Sequence, residues 1–133
     1  MSNDLLKQLA EHLTYAGYEV EEPAEGRVSA KHRSKLDFSL KVFRNGILLA
    51  ATFATQTAEI EKDELAYKKL LNDMNRYLTV LRVYDRDHKQ LVLEAWYPPH
   101  YDKREFAAFL DVLDADTGVL ASDKFEMMKQ FVK

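Results

Sequence analysis

Four histidines, a run of aspartates, five serines and many neighbouring carboxylates are the side chains in this sequence that could do chemistry. Their spacing decides which chemistry is open. His12, His32, His88 and His100 include no pair at the i, i+4 spacing that puts two metal ligands on one helix face. Each therefore reads as a surface histidine. Asp111, Asp114, Asp116 and Gly118 superficially resemble a calcium loop. Counted from Asp114, however, the sixth position is Val119 in place of the turn glycine. The twelfth is Phe125 in place of the bidentate glutamate. An aspartate-rich, frayed helix end is expected instead. Ser2, Ser29, Ser34, Ser39 and Ser122 fall in caps, strands or loops, and none lies in a nucleophile elbow. The carboxylates sit on outward helix faces, and nothing in their spacing points to a glycosidase pair.

Cysteine is absent, which removes disulfides, thiolate nucleophiles and cysteine metal sites together. Gly17, Gly26, Gly46 and Gly118 all sit where a cap or turn is expected, so none is left for a phosphate-cradling loop. No catalytic residue, metal site or cofactor is expected, and the chain reads as a non-enzyme.

The elements that must position any site follow from composition and periodicity. The 133 residues are 47% hydrophobic and 31% charged, enough apolar surface for one folded domain, residues 1–133. Nineteen basic against 22 acidic side chains give a net charge of −3, without the strong basic excess usual in nucleic-acid binders, which leaves only a local patch to consider. The densest basic run, Arg27, Lys31, His32, Arg33 and Lys35, has no interleaved aromatics and reads as a solvated strand end. Asp4, Lys7 and Glu11 interrupt the leucines of the first 13 residues, so no signal peptide is expected. No apolar run reaches the length of a membrane span. A cytoplasmic protein with no nucleic-acid or membrane partner is expected.

Leu5, Leu6, Leu9, Ala10 and Leu13 predict a first helix, capped by Ser2 or Asn3 and closed by Gly17. Residues 18–22 and 27–33 alternate as strands around a turn at Pro23-Ala24-Glu25-Gly26. Asn45-Gly46 predicts a two-residue hairpin turn. That turn sets Val42 opposite Leu49, Leu40 opposite Ala51 and Phe38 opposite Phe53, making one face wholly apolar. Thr57 is the expected cap of a second helix, with Tyr67, Leu70, Leu71 and Met74 inward and an end near Arg76 or Tyr77. A second hairpin with the three-residue loop Asp87-His88-Lys89 places Val83 beside Leu93, Leu81 beside Ala95 and Arg82 beside Glu94. Pro98-Pro99 ends that strand. A third helix begins at a capping box, Asp102 to Glu105, and Gly118 interrupts it. A last helix, Ser122 to Val132, presents Phe125, Met128 and Phe131 or Val132 on one face, either separate from the third helix or as its bent continuation. The expected fold is α+β, with order α-β-β-β-β-α-β-β-α(-α): an antiparallel β-sheet with helices packed on one face.

This layout resembles the YbjN-like family of bacterial proteins. The resemblance rests on Leu71-Asn72-Asp73-Met74-Asn75 and on a polar turn at Asp85-Arg86-Asp87. It also rests on Trp96-Tyr97-Pro98, on Phe106-Ala107-Ala108-Phe109-Leu110 and on the Ala16-Gly17-Tyr18 step. It implies a fold like the type III secretion chaperones, small proteins that commonly dimerise. It also implies a regulatory protein, of a family described as sensory-transduction regulators, with no catalytic residues to carry over. The turn Asp87-His88-Lys89 lacks the glycine common in the family there. Asn72 and Asn75 are the best-matched polar positions, and either bond to loop backbone or mark a binding site.

Two surface features remain. With the three-residue loop, Val80, Tyr84, Val92 and Trp96 share the outer face of the last hairpin, and Phe43 and Leu48 that of the other. Such a face is a protein contact or is covered by a C-terminal helix. The leading reading is a non-enzymatic protein-binding module, chaperone-like or regulatory, acting as a homodimer or holding a protein client. A small-molecule-sensing domain with a pocket between the sheet and helix two, near Asn72 and Asn75, is the alternative. An enzyme of unfamiliar type would need a cleft with perturbed titratable groups.

Overall fold

The computed structural model describes residues 2–24 and 26–133, without the side chains of Ser2, Asn3 and Pro23. The cap expected on Ser2 or Asn3 and the Glu25 part of the first turn lie outside that description. The elements are α1 (Ser2–Tyr15), β1 (Glu19–Ala24), β2 (Arg27–Lys31), β3 (Phe38–Val42) and β4 (Ile47–Ala54). They continue with α2 (Thr57–Lys62), α3 (Glu64–Tyr77), β5 (Arg82–Arg86) and β6 (Gln90–Tyr97). Then come α4 (Lys103–Leu120), a 3-10 turn (Asp123–Phe125) and α5 (Met128–Phe131). The strands form one open antiparallel sheet in the order β1-β2-β3-β4-β6-β5, and the α+β class and helix–strand order are as expected. The chain divides into two compact units, with the boundaries falling inside β4, β6 and α4.

The first unit comprises residues 1–51 and 95–111. Leu6, Leu9 and Leu13 recur at helical spacing and are buried where α1 packs on β1, β2 and β3. The sheet answers with Val28, Ala30, Phe38, Leu40 and Leu49, alternate residues that share one face. Gly17 adopts φ +99°, and Tyr18 N–H donates to the Leu13 carbonyl at 3.0 Å, closing α1 as glycine permits. The carboxylate of Asp102 accepts from the N–H groups of Arg104 and Glu105, both at 2.9 Å, and so caps α4.

The β3–β4 hairpin departs from expectation by two residues. Arg44 and Asn45, at φ 48° and 54°, are the central pair of the turn, and Phe43 and Gly46 exchange backbone hydrogen bonds across it. Val42 therefore pairs with Ile47, and Leu40 with Leu49. The slip is even, so each side chain keeps its expected face. In this register a Cβ on Gly46 would lie 2.3 Å from the indole of Trp96. Glycine is needed here for close approach, not for positive φ.

The second unit comprises residues 52–94 and 112–133. Its β5–β6 hairpin has the expected three-residue loop and register, with Val83 opposite Leu93 and Arg82 opposite Glu94. The expected second helix is two. Asp63, at φ −149°, ends α2 and caps α3 by accepting from Ala66 N–H. The break lets α2 pack on α5 while α3 packs on β5. Thr57 does not cap α2, because its hydroxyl donates to the His88 carbonyl at 2.6 Å. α4 runs through Gly118, which has open space where its Cβ would be. The last helix is replaced by the 3-10 turn and the single turn of α5. Phe125 and Phe131, both buried, stand six residues apart, which a continuous helix would aim about 120° from each other. The break buries both rings. The chain end then pairs with the end of β4, Lys133 N–H donating to the Ala54 carbonyl and Gln56 N–H to that of Phe131.

Candidate functional site

Most polar side chains with chemical potential are tied into the fold. Asp116 is only 2% exposed and sits on the inward stripe of α4, three residues beyond Leu113. Its carboxylate accepts from three consecutive backbone N–H groups, those of Thr79, Val80 and Leu81, at 2.8–3.1 Å. It thus satisfies the orphan donors between α3 and β5. The aspartate run is therefore not a frayed end. A charged residue on an apolar stripe was the signal for it.

Asn75 meets the backbone of β5 like a neighbouring strand. Its Nδ2 donates to the Val83 carbonyl at 2.9 Å, and its Oδ1 accepts from the Val83 N–H at 2.8 Å. β5 is an edge strand, so the amide occupies hydrogen-bonding groups that would otherwise be open. Of the two family-matched asparagines, Asn75 is thus a backbone partner. Asn72 is exposed on α3.

Glu94, also buried, accepts from Arg82 Nε at 3.1 Å and from Tyr84 Oη at 3.0 Å. Around the tight turn, Tyr67 Oη donates to Asp85 Oδ1 at 3.0 Å, and His88 N–H donates to Asp85 Oδ2 at 3.0 Å. Burial, then the hydrogen bond to Asp85, pushes the Tyr67 hydroxyl well above its ordinary pKa. The hydroxyls of Thr55 and Thr57 both donate to the His88 carbonyl. Asp87 and His88 hold positive φ without glycine because these bonds fix the turn from outside. In the first unit His12 bonds to Tyr101 Oη at 2.9 Å, and burial followed by the Lys103 charge lowers its pKa. Among the described residues no group of three or more His, Asp or Glu is placed to hold a metal ion.

The six expected interface residues divide. Val92 is 0% and Leu48 7% exposed, so both are interior and neither belongs to a free surface. Val80 is half-buried, and Tyr84 is half-buried with its hydroxyl committed to Glu94. Phe43 and Trp96 stand out, 37% and 50% exposed. The indole lies on Gly46 and its Nε1 donates to the Phe43 carbonyl at 3.3 Å. Lys41 Nζ and the Arg44 guanidinium lie 5.8 and 5.2 Å from the Phe43 ring centre. The two rings thus make an aromatic patch with a cationic border.

The groove beside α3 in the second unit does not include Asn72 or Asn75, near which a pocket between sheet and helix two was expected. This groove, of about 490 Å³, runs between α3 and the segment around the 3-10 turn. Leu70 and Phe125 are in its wall, and neither asparagine lines it.

No family model matches the chain, and no curated protein matches it. Among solved structures it is similar to the crystal structure of YbjN from E. coli, described as "a putative transcription regulator". The TM-score is 0.70 at 15% identity, over 96% of this chain and 95% of that one. The resemblance read from the helix-to-strand step, the Trp96-Tyr97-Pro98 strand end and the layout is thereby borne out at the level of architecture: this chain has the YbjN fold.

Proposed function

We propose that the chain is a non-enzymatic protein-binding module, regulatory or chaperone-like, that acts in the cytoplasm as a homodimer through the patch formed by Phe43 and Trp96. The observation that carries the reading is the setting of Trp96. A half-exposed indole is held rigid by a glycine seat and a hydrogen bond. Ordered aromatic anchors lose little entropy on binding and dominate interface energetics. The neighbouring cations Lys41 and Arg44 supply the polar border usual around such a core. The non-enzymatic reading is supported by where the polar groups go: Asp116, Asn75, Glu94 and Asp85 all serve backbone or neighbouring side chains. The YbjN neighbour, described as a regulator, is consistent with a regulatory role. No described helix is long and apolar enough to cross a membrane.

The test is affinity capture of tagged protein from its native lysate beside a folded Trp96→Glu control, with the mass of each purified sample measured. A dimer or stoichiometric partner lost in the control is expected. A monomer that captures nothing, or a partner retained by the control, would overturn the reading.

A further inference from the structure

We infer that the groove along α3 is a second docking site, in the second unit, for an acidic amphipathic helix of a partner protein. Its floor is apolar, with Leu70 and Phe125, and Met127 stands at its edge. Lys69, Arg76 and Lys124 border it against one carboxylate, Asp73. Asp73 stands 3.9 Å from Arg76, so that pair is internally balanced. Lys69 has no acidic partner among the described residues. Lys124 lies 3.9 Å from the centre of the Tyr77 ring, again without a carboxylate among the described residues. The groove thus carries an excess of two positive charges beside an apolar floor, and its complement is apolar on one side and acidic at the edges.

Shape selects a helix. The α3 residues of the groove run from Ala66 to Tyr77, about three turns or roughly 16 Å. A helix with anchors at i, i+4 and i+7 sets its end anchors roughly 10 Å apart, which fits within that length. Met127 and Tyr77, 54% and 49% exposed, leave the groove open along its side, as a laid-in helix requires. Methionine at the edge adapts to different apolar anchors. Trp96 and Phe43 are not among the lining residues, so this site and the aromatic patch are separable. The inference extends the protein-binding reading but does not depend on the patch.

The probe is a labelled synthetic helix with leucines at i, i+4 and i+7 flanked by glutamates, beside a twin carrying lysine for each glutamate. Binding to the full chain is read by fluorescence anisotropy. The acidic peptide should bind, its twin about tenfold or more weakly, and added salt should narrow the gap. Lys69→Glu with Lys124→Glu should reverse the preference, both being exposed positions that leave the fold intact. Trp96→Glu should leave it unchanged, so failure here and failure of the aromatic-patch reading are distinguishable. Equal binding of the twins, no binding by either, or a preference untouched by the lysine reversals would each overturn the inference. So would loss of peptide binding on self-association, which would show the groove to be filled by a second copy.

Discussion

The two hairpins invert what their sequences promise. Asn45-Gly46 is the strongest turn signal in the chain, yet the β3–β4 turn lies one residue earlier, on Arg44 and Asn45. Asp87-His88-Lys89 has no glycine, yet the β5–β6 hairpin keeps its expected register. The difference is where each turn is held. The first is met by Trp96, whose indole lies on Gly46 and donates to the Phe43 carbonyl. The second is gripped by Thr55, Thr57 and Asp85. One hairpin seats the exposed indole that β6 carries, and the other has its turn locked by neighbouring side chains.

The comparison can be broken or sharpened by substitution. The largest effect is expected at the root of the locked hairpin. Asp116→Ala strands three backbone N–H groups leading into β5, and should cost about 3 kcal/mol in urea unfolding. A cost under about 1 kcal/mol would mean that water replaces the carboxylate freely. In the β3–β4 hairpin, Gly46→Ala puts a methyl against the indole and should cost about 2 kcal/mol while moving Trp96. As Trp96 is the single tryptophan, its emission reports the movement directly. An unchanged spectrum would refute the seat. Thr57→Val removes one of two hydroxyls on the His88 carbonyl and should cost about 1 kcal/mol, with Thr55 still bonded. The smallest effect is a gain: Gly118→Ala should stabilise α4 by about 0.5–1 kcal/mol, seen as a raised Tm, because the position is helical and open.

Much of the architecture was legible because pattern and turn chemistry agreed. α1, the β5–β6 register and the Asp102 cap all follow from local residues. What was not legible depended on distant partners. Asp63 as a cap and helix break, and the split of the C-terminal helix, follow from which surfaces Ile60, Phe125 and Phe131 must reach. The seat at Gly46 needed Trp96, 50 residues away in sequence, to reveal its purpose. Among site residues, Phe43 and Trp96 stand exposed as the alternation placed them, while Leu48 and Val92 are buried. Period-two reading tells which side of a sheet a residue faces, not whether that side is covered.

The most direct measurement of the central claim is Trp96 fluorescence with acrylamide quenching as the protein is concentrated, with mass measured by light scattering on the same samples. The account predicts a blue shift and loss of quenching that track conversion from monomer to dimer. A dimer whose Trp96 stays as quenchable as in the monomer, or a chain that remains monomeric with an unchanged spectrum, would contradict it.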